Sequence, residues 1–170
     1  MGAQISLYFY EKYPDLTQSL VLCDAPLGFQ DFTENEREKF IRLRRKPIED
    51  GMDLTTMAIN IADTLIGKKS NKLAYDQLVG SMQKLHKETY LKAIDTFVKS
   101  DHYNIFSKLD IPVLVLVGEL DNLTPVSMAK EICGKIDGSV FKIIPDAGHL
   151  SNIENPDEFN IAVLHFLSQI

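Results

Sequence analysis

Cysteine is scarce: the chain has two in 170 residues, Cys23 and Cys133, far apart and each within an apolar segment. That excludes a disulfide framework and fits reduced, buried thiols in the cytoplasm. No apolar run approaches the ~18 residues that a bilayer span requires. The N-terminus shows no charged region leading into an apolar run and a small-residue cleavage site, so no signal peptide is visible. The expected location is the cytoplasm, with no membrane partner. Basic charge is not in excess either. Lys and Arg number 18 against 24 Asp and Glu, a formal net charge of -6, which argues against a nucleic-acid binder. Arg42, Arg44, Arg45 and Lys46, and Lys68, Lys69 and Lys72, are interspersed with acidic residues and are expected to be solvated surface. There is no Cys/His cluster with metal-ligand spacing, no glycine-rich phosphate loop, no internal repeat and no low-complexity tract. No serine stands in a G-x-S-x-G sequence; Ser81, beside Gly80, falls in an amphipathic helix pattern and reads as helix surface.

What the chain does have is an ordinary globular balance, 45% hydrophobic and 25% charged, with length enough for one domain and a real core. Three short apolar runs read as strands: Ser19-Leu20-Val21-Leu22-Cys23, Val113-Leu114-Val115-Leu116-Val117 and Val140-Phe141-Lys142-Ile143-Ile144. The second is apolar on consecutive residues. Both of its faces must then be covered, which marks a central parallel strand. Helical patterns separate the runs. Thr124-Pro125 reads as an N-cap followed by an N1 proline, with Met128, Ala129, Ile132 and Ile136 on one stripe. Asn155-Pro156-Asp157-Glu158 repeats that logic ahead of the stripe Phe159, Ala162, Val163, Phe166, Leu167 and Ile170. Strand, helix, strand, helix is the doubly wound α/β pattern.

Nearly ninety residues between the first two strands contain no convincing strand. Thr33-Glu34-Asn35-Glu36 is a capping box. Stripes at Leu54, Met57, Ala58, Ile61, Ala62 and Leu65, at Ala74, Leu78, Met82 and Leu85, and at Leu91, Ile94 and Val98 follow, punctuated by Gly51 and the run 67–72. Residues 31–108 are therefore expected to form a helical insertion of about four helices over the sheet.

Two residues in the last third could carry chemistry. Asp121 comes four residues after the second strand, where open α/β sheets place their sites, although Asp-Asn is also a good turn pair. His149 comes five residues after the third strand, beside Gly148. Histidine is the side chain best suited to move protons near neutral pH; a lone loop histidine is otherwise surface. Adjacent parallel strands would deliver both to one edge of the sheet. There a carboxylate can hold one ring nitrogen and leave the other as a base. His86 and His102 read as solvated helix positions and His165 as surface.

Residues 111–170 resemble the C-terminal third of the α/β-hydrolase superfamily. The matching elements are Ile111-Pro112, Gly118-Glu119-Leu120-Asp121, Thr124-Pro125, and Gly148-His149-Leu150 followed by Ile153-Glu154-Asn155-Pro156. The front is similar as well. Met1-Gly2 aligns with the last two positions of the nucleophile elbow G-x-S-x-G, residues 3–13 with the helix behind it, and 19–24 with the next strand. The resemblance implies an α/β fold: the C-terminal part of a hydrolase parallel sheet with a helical cap, the N-terminal strands absent from this chain. It divides the chain into 1–30 (post-nucleophile helix and strand), 31–108 (cap) and 109–170 (core with acid and histidine). Carried over residue by residue, it makes Asp121 the triad acid and His149 the base, in the family's chain order. It places Met1 at the residue whose backbone N–H serves the oxyanion hole. Asp24, ending the first strand, is the alternative acid, a position some relatives use.

The implied activity is hydrolysis of an ester, lactone or related small-molecule carbonyl substrate, without a cofactor, by a nucleophile upstream of Met1. The nearest similarity is to the 3-oxoadipate enol-lactone hydrolase group and neighbouring esterases and carbon–carbon bond hydrolases. The chain alone is then expected to be inactive. An Asp nucleophile would make a dehalogenase or epoxide hydrolase instead, and a truncated, non-catalytic, partner-binding remnant is the competing reading. With one flank of the strand at 19–23 unpaired, self-association or an N-terminal fragment supplying the missing strands is expected.

Overall fold

The computed structural model describes residues 1–68 and 71–170; Lys69 and Ser70, with the expectation that Lys69 is solvated, lie outside the described residues. Three strands form one parallel sheet in the order β1-β2-β3: β1 (Leu20–Cys23), β2 (Val113–Gly118) and β3 (Val140–Ile144). β2 is central, registered with Leu20 opposite Val113 on one side and Leu114 opposite Val140 on the other. Every residue of β2 is buried, as its unbroken apolar run requires. Val113, Val115 and Val117 face a core shared with α1 (Gly2–Lys12) and α6 (Val126–Gly134). Leu114 and Leu116 face the opposite layer, where α8 (Pro156–Leu167) contributes Ala162 and Phe166. The period-two alternation of the strand thus builds two layers from one sequence.

Among the described residues, four α-helices lie between β1 and β2: α2 (Glu34–Glu49), α3 (Leu54–Leu65), α4 (Lys72–Met82) and α5 (Lys87–Lys99). The Thr33–Glu36 capping box is formed in full at the start of α2. This region has its own small core of Ile48, Met57, Ala58 and Met82. A short helix, α7 (Ser151–Glu154), links β3 to α8. Among the described residues no helix is long and apolar enough to cross a membrane.

Several local expectations change. Thr124 does not cap α6; the N-cap is Pro125, and the threonine side chain turns instead toward Asp121. α4 ends at Met82, so Leu85 falls beyond it and is exposed. Leu167 and Ile170 are exposed rather than part of the buried stripe, because the α8 contact narrows to Phe159, Ala162, Val163 and Phe166. Cys23 and Cys133 are free but only partly buried. Arg44 is not fully solvated: its guanidinium lies 3.4 Å from the Phe40 ring centroid. Ser81, His86 and His165 are exposed, as read from the sequence.

Candidate active site

Each strand's C-terminal end carries a polar residue into one region. Asp24 directly follows β1, Asp121 lies three residues beyond β2, and His149 five beyond β3. Parallel strands align these ends, so residues distant in sequence become neighbours.

The Asp121 carboxylate is fully buried and satisfied on both oxygens. Oδ1 accepts from the backbone N–H groups of Leu123 (2.8 Å) and Thr124 (2.9 Å). Oδ2 accepts from the Thr124 hydroxyl (2.6 Å) and from Nδ1 of His149 (2.9 Å). Asp121 is thus a turn residue and a histidine partner at once, so the two readings of it are one arrangement. Burial pushes its pKa up, but the hydrogen bonds from His149 and Thr124 outweigh that and hold it below its ordinary value. A carboxylate that stays ionised beside Nδ1–H fixes the tautomer. Nε2 is then the free basic nitrogen. No hydrogen bond to it forms among the described residues, and the His149 side chain keeps 22% of its exposure.

Asp24 is not hydrogen-bonded to His149. It adopts a left-handed backbone (φ 46°), and its carboxylate accepts from Gly118 N (2.8 Å), the Ser151 hydroxyl (2.7 Å) and N–H (3.3 Å), and the Cys23 thiol (3.0 Å). It fastens the end of β1 to β2 and to the start of α7. Burial is the main reason its pKa lies above the usual carboxylate range. The same burial pushes the Cys23 thiol up, which leaves the sulfur protonated and unreactive. Met1 is the N-cap of α1 and 52% exposed; no hydrogen bond joins it to Asp121 or His149. No group of three or more potential metal ligands occurs among the described residues.

Two groups went unread in the sequence. His102, expected to be solvated, is completely buried. Its Nδ1 accepts from the Gln4 amide (3.1 Å), its Nε2–H donates to Pro26 O (3.1 Å), and its ring meets Phe106 edge-on. Gln4 also donates to Ser100, so a polar knot joins α1 to the segment after α5. Glu154 is the other. It is 8% exposed, and its carboxylate accepts from backbone N–H groups on both sides of His149. Neither carries a local pattern that signals burial.

A family model described as the alpha/beta hydrolase fold matches residues 1–156. The chain is 31% identical over 181 residues to the 2-hydroxy-6-oxo-6-(2'-aminophenyl)hexa-2,4-dienoic acid hydrolase of Metapseudomonas resinovorans, covering 99% of this chain and 58% of that protein. It is 33% identical over 92 residues to 3-oxoadipate enol-lactonase 2 of Acinetobacter baylyi, covering 54% of this chain and 32% of the relative. A thermophilic esterase from Thermogutta terrifontis superposes with a TM-score of 0.87 at 24% identity, covering 99% of this chain and 62% of its own. The chain therefore spans less than two thirds of each of these proteins.

Proposed function

We propose, from the premise that this chain belongs to the alpha/beta hydrolase fold family, that Asp121 and His149 are the acid and base of a nucleophile–histidine–aspartate triad. The reaction is hydrolysis of an ester, a lactone or a related carbonyl compound. One observation carries this reading: the 2.9 Å bond from His149 Nδ1 to a buried carboxylate at the C-terminal end of the sheet, with Nε2 left over. The nucleophile lies upstream of Met1. It attacks the carbonyl carbon as Nε2 takes its proton, and the imidazolium returns that proton to the leaving group as the bond to the carbonyl breaks; water then attacks the acyl-enzyme, Nε2 takes a proton from that water, and the nucleophile regains it as the acid is released. Asp121 holds the ring and stabilises its positive charge. In the extended chain the peptide N–H of Met1 serves the oxyanion; here that position is the terminal amine. Relatives named as a 6-oxo-dienoic acid hydrolase and an enol-lactonase support a carbonyl substrate.

The test compares this chain with a version extended through the codons upstream of Met1, both assayed on a small activated ester. The extended form should turn over, and His149→Ala should abolish that turnover. The 170-residue chain should stay at background. Saturable turnover by the short chain, lost in His149→Ala, would overturn the upstream nucleophile. An extended form whose turnover ignores His149 would sink the triad.

A second reading has its own support. Ile5 (64% exposed), Phe9 (46%) and Leu16 (71%) open an apolar surface beside β1, which is an edge strand. In this reading the chain is a partner-binding module. A second copy or an N-terminal fragment pairs along β1 and covers that surface. Light scattering at low micromolar concentration should show an assembly; a monodisperse 19.2 kDa species with a cooperative thermal transition would refute it.

A further inference from the structure

We infer that Glu154 is a positioning residue for His149, and that it ties the seating of the helical region to the presentation of the imidazole. This rests on the reading of His149 as the base. Glu154 Oε1 accepts from Gly148 N (2.9 Å) and Leu150 N (3.3 Å), the two amides that flank His149. Its Oε2 reaches the other way and accepts from Gly67 N (2.8 Å), two residues past the end of α3. The amide of His149 itself donates to Leu65 O (2.8 Å). The Glu154 backbone carbonyl accepts from the side chain of Asn71, the N-cap of α4 (3.0 Å). All three amides from 148 to 150 therefore end on Glu154 or on the segment that Glu154 also grips.

The two segments meet main chain to main chain. A β-carbon on Gly67 would lie 2.6 Å from Gly148 N, and one on Gly148 would lie 2.6 Å from Leu65 O. Apart from the Glu154 carboxylate and the Leu120 β-carbon, the contact is main chain on main chain. If residues 65–67 move, the loop bearing His149 moves with them, unless the carboxylate lets go. Only a carboxylate can hold both sides. Its two oxygens are both acceptors, whereas a glutamine in the same place would aim its NH2 at one of the N–H groups. Hydrogen bonds to a buried charge are also the stronger kind.

The test is Glu154→Gln in the full chain, labelled with 15N. Amide exchange at Gly67 and Gly148 should quicken by about tenfold or more while β2 amides keep their protection, a local opening rather than global unfolding. The long-range 15N pattern of the His149 ring should lose its single Nδ1–H tautomer. Glu158→Gln, on the exposed first turn of α8, should change neither. A folded Glu154→Gln protein with wild-type exchange at Gly67 and a wild-type His149 ring overturns the inference. Should that variant fail to fold, Asn71→Asp takes its place, because it keeps an acceptor to cap α4 and removes only the donor to the Glu154 carbonyl. Faster exchange at Gly67 and Gly148 supports the coupling, and an unmoved pair of amides ends it. In a form with turnover, Glu154→Gln should lower kcat roughly 10–100-fold at unchanged KM, since misplacing a catalytic group by about 1 Å costs on that scale. Coupling seen by exchange together with hydrolysis that survives His149→Ala would remove the triad reading and leave this one standing; intact kcat and exchange in Glu154→Gln with hydrolysis lost in His149→Ala would do the reverse.

Discussion

His149 and His102 are the same side chain in two opposite settings. Both stand beside loops that join the sheet to its surroundings, and both use Nδ1 in a hydrogen bond. His102 has its second nitrogen on Pro26 O and no exposed surface. His149 has its first nitrogen on a buried carboxylate, and its second has no hydrogen-bond partner among the described residues. The ionised partner is the decisive difference. Next to Asp121, imidazole can accept a proton and be stabilised as a cation. Between an amide and a carbonyl, His102 has no partner that favours its cation, and burial holds its pKa below the ordinary value. A histidine with both nitrogens engaged by neutral groups serves architecture; one with a carboxylate behind it can be stabilised with a second proton.

The largest effect that can break this contrast is on turnover. In a form that hydrolyses ester, His149→Ala should cost ~10⁴-fold or more in kcat and lower stability by only ~1 kcal/mol, about the net worth of its bond to Asp121. A large loss of stability would place His149 with the structural histidines. His102→Ala should do the opposite. It strands the Gln4 amide and Pro26 O and opens a void beside Phe106, which together should destabilise by ~2–4 kcal/mol in urea unfolding.

Acid sharpens the comparison further. The folded pKa of His102 is depressed below 6.5, so as pH falls the unfolded chain binds this proton first. Stability should be full above about 6.5 and decline below it. Asp121 has a folded pKa below 3.8. Its stabilisation is present above 3.8 and is lost as pH falls through the folded value. Urea titrations against pH should lose the upper decline in His102→Ala and the lower one in Asp121→Asn. The smallest expected effect is Thr124→Val. It removes the 2.6 Å bond to Asp121 Oδ2 and should cost ~1 kcal/mol, about the net worth of one such bond. A similar change at Thr33, whose cap on α2 is far from the sheet, should match it in stability and leave turnover untouched.

The two histidines also mark what could be read in the sequence. β2 was legible because five consecutive apolar residues cannot expose a face. The closeness of Asp121 to His149 was legible because parallel strands align whatever follows them by a few residues. The stripes of α3 and α5 were legible from their spacing. His102 was not, because its burial depends on Gln4 arriving from α1, nearly a hundred residues away. Thr124 looked like a cap since it precedes a proline; the competing carboxylate lay only three residues back, but its orientation comes from the turn. Glu154 stood inside the quoted Ile153-Glu154-Asn155-Pro156 run, yet its partners are backbone amides, which no residue pattern announces.

The backbone contact between Gly67 and Gly148 divides what mutation can alter in this molecule from what it cannot. Side chains on α2, α3, α4 and α5 can be exchanged freely as far as that seam is concerned, since none of them forms it. The two glycines are the exception. A single methyl group at either meets main chain that has nowhere to go. The helical region is thus anchored to the His149 loop at a joint where a β-carbon on either glycine would meet main chain.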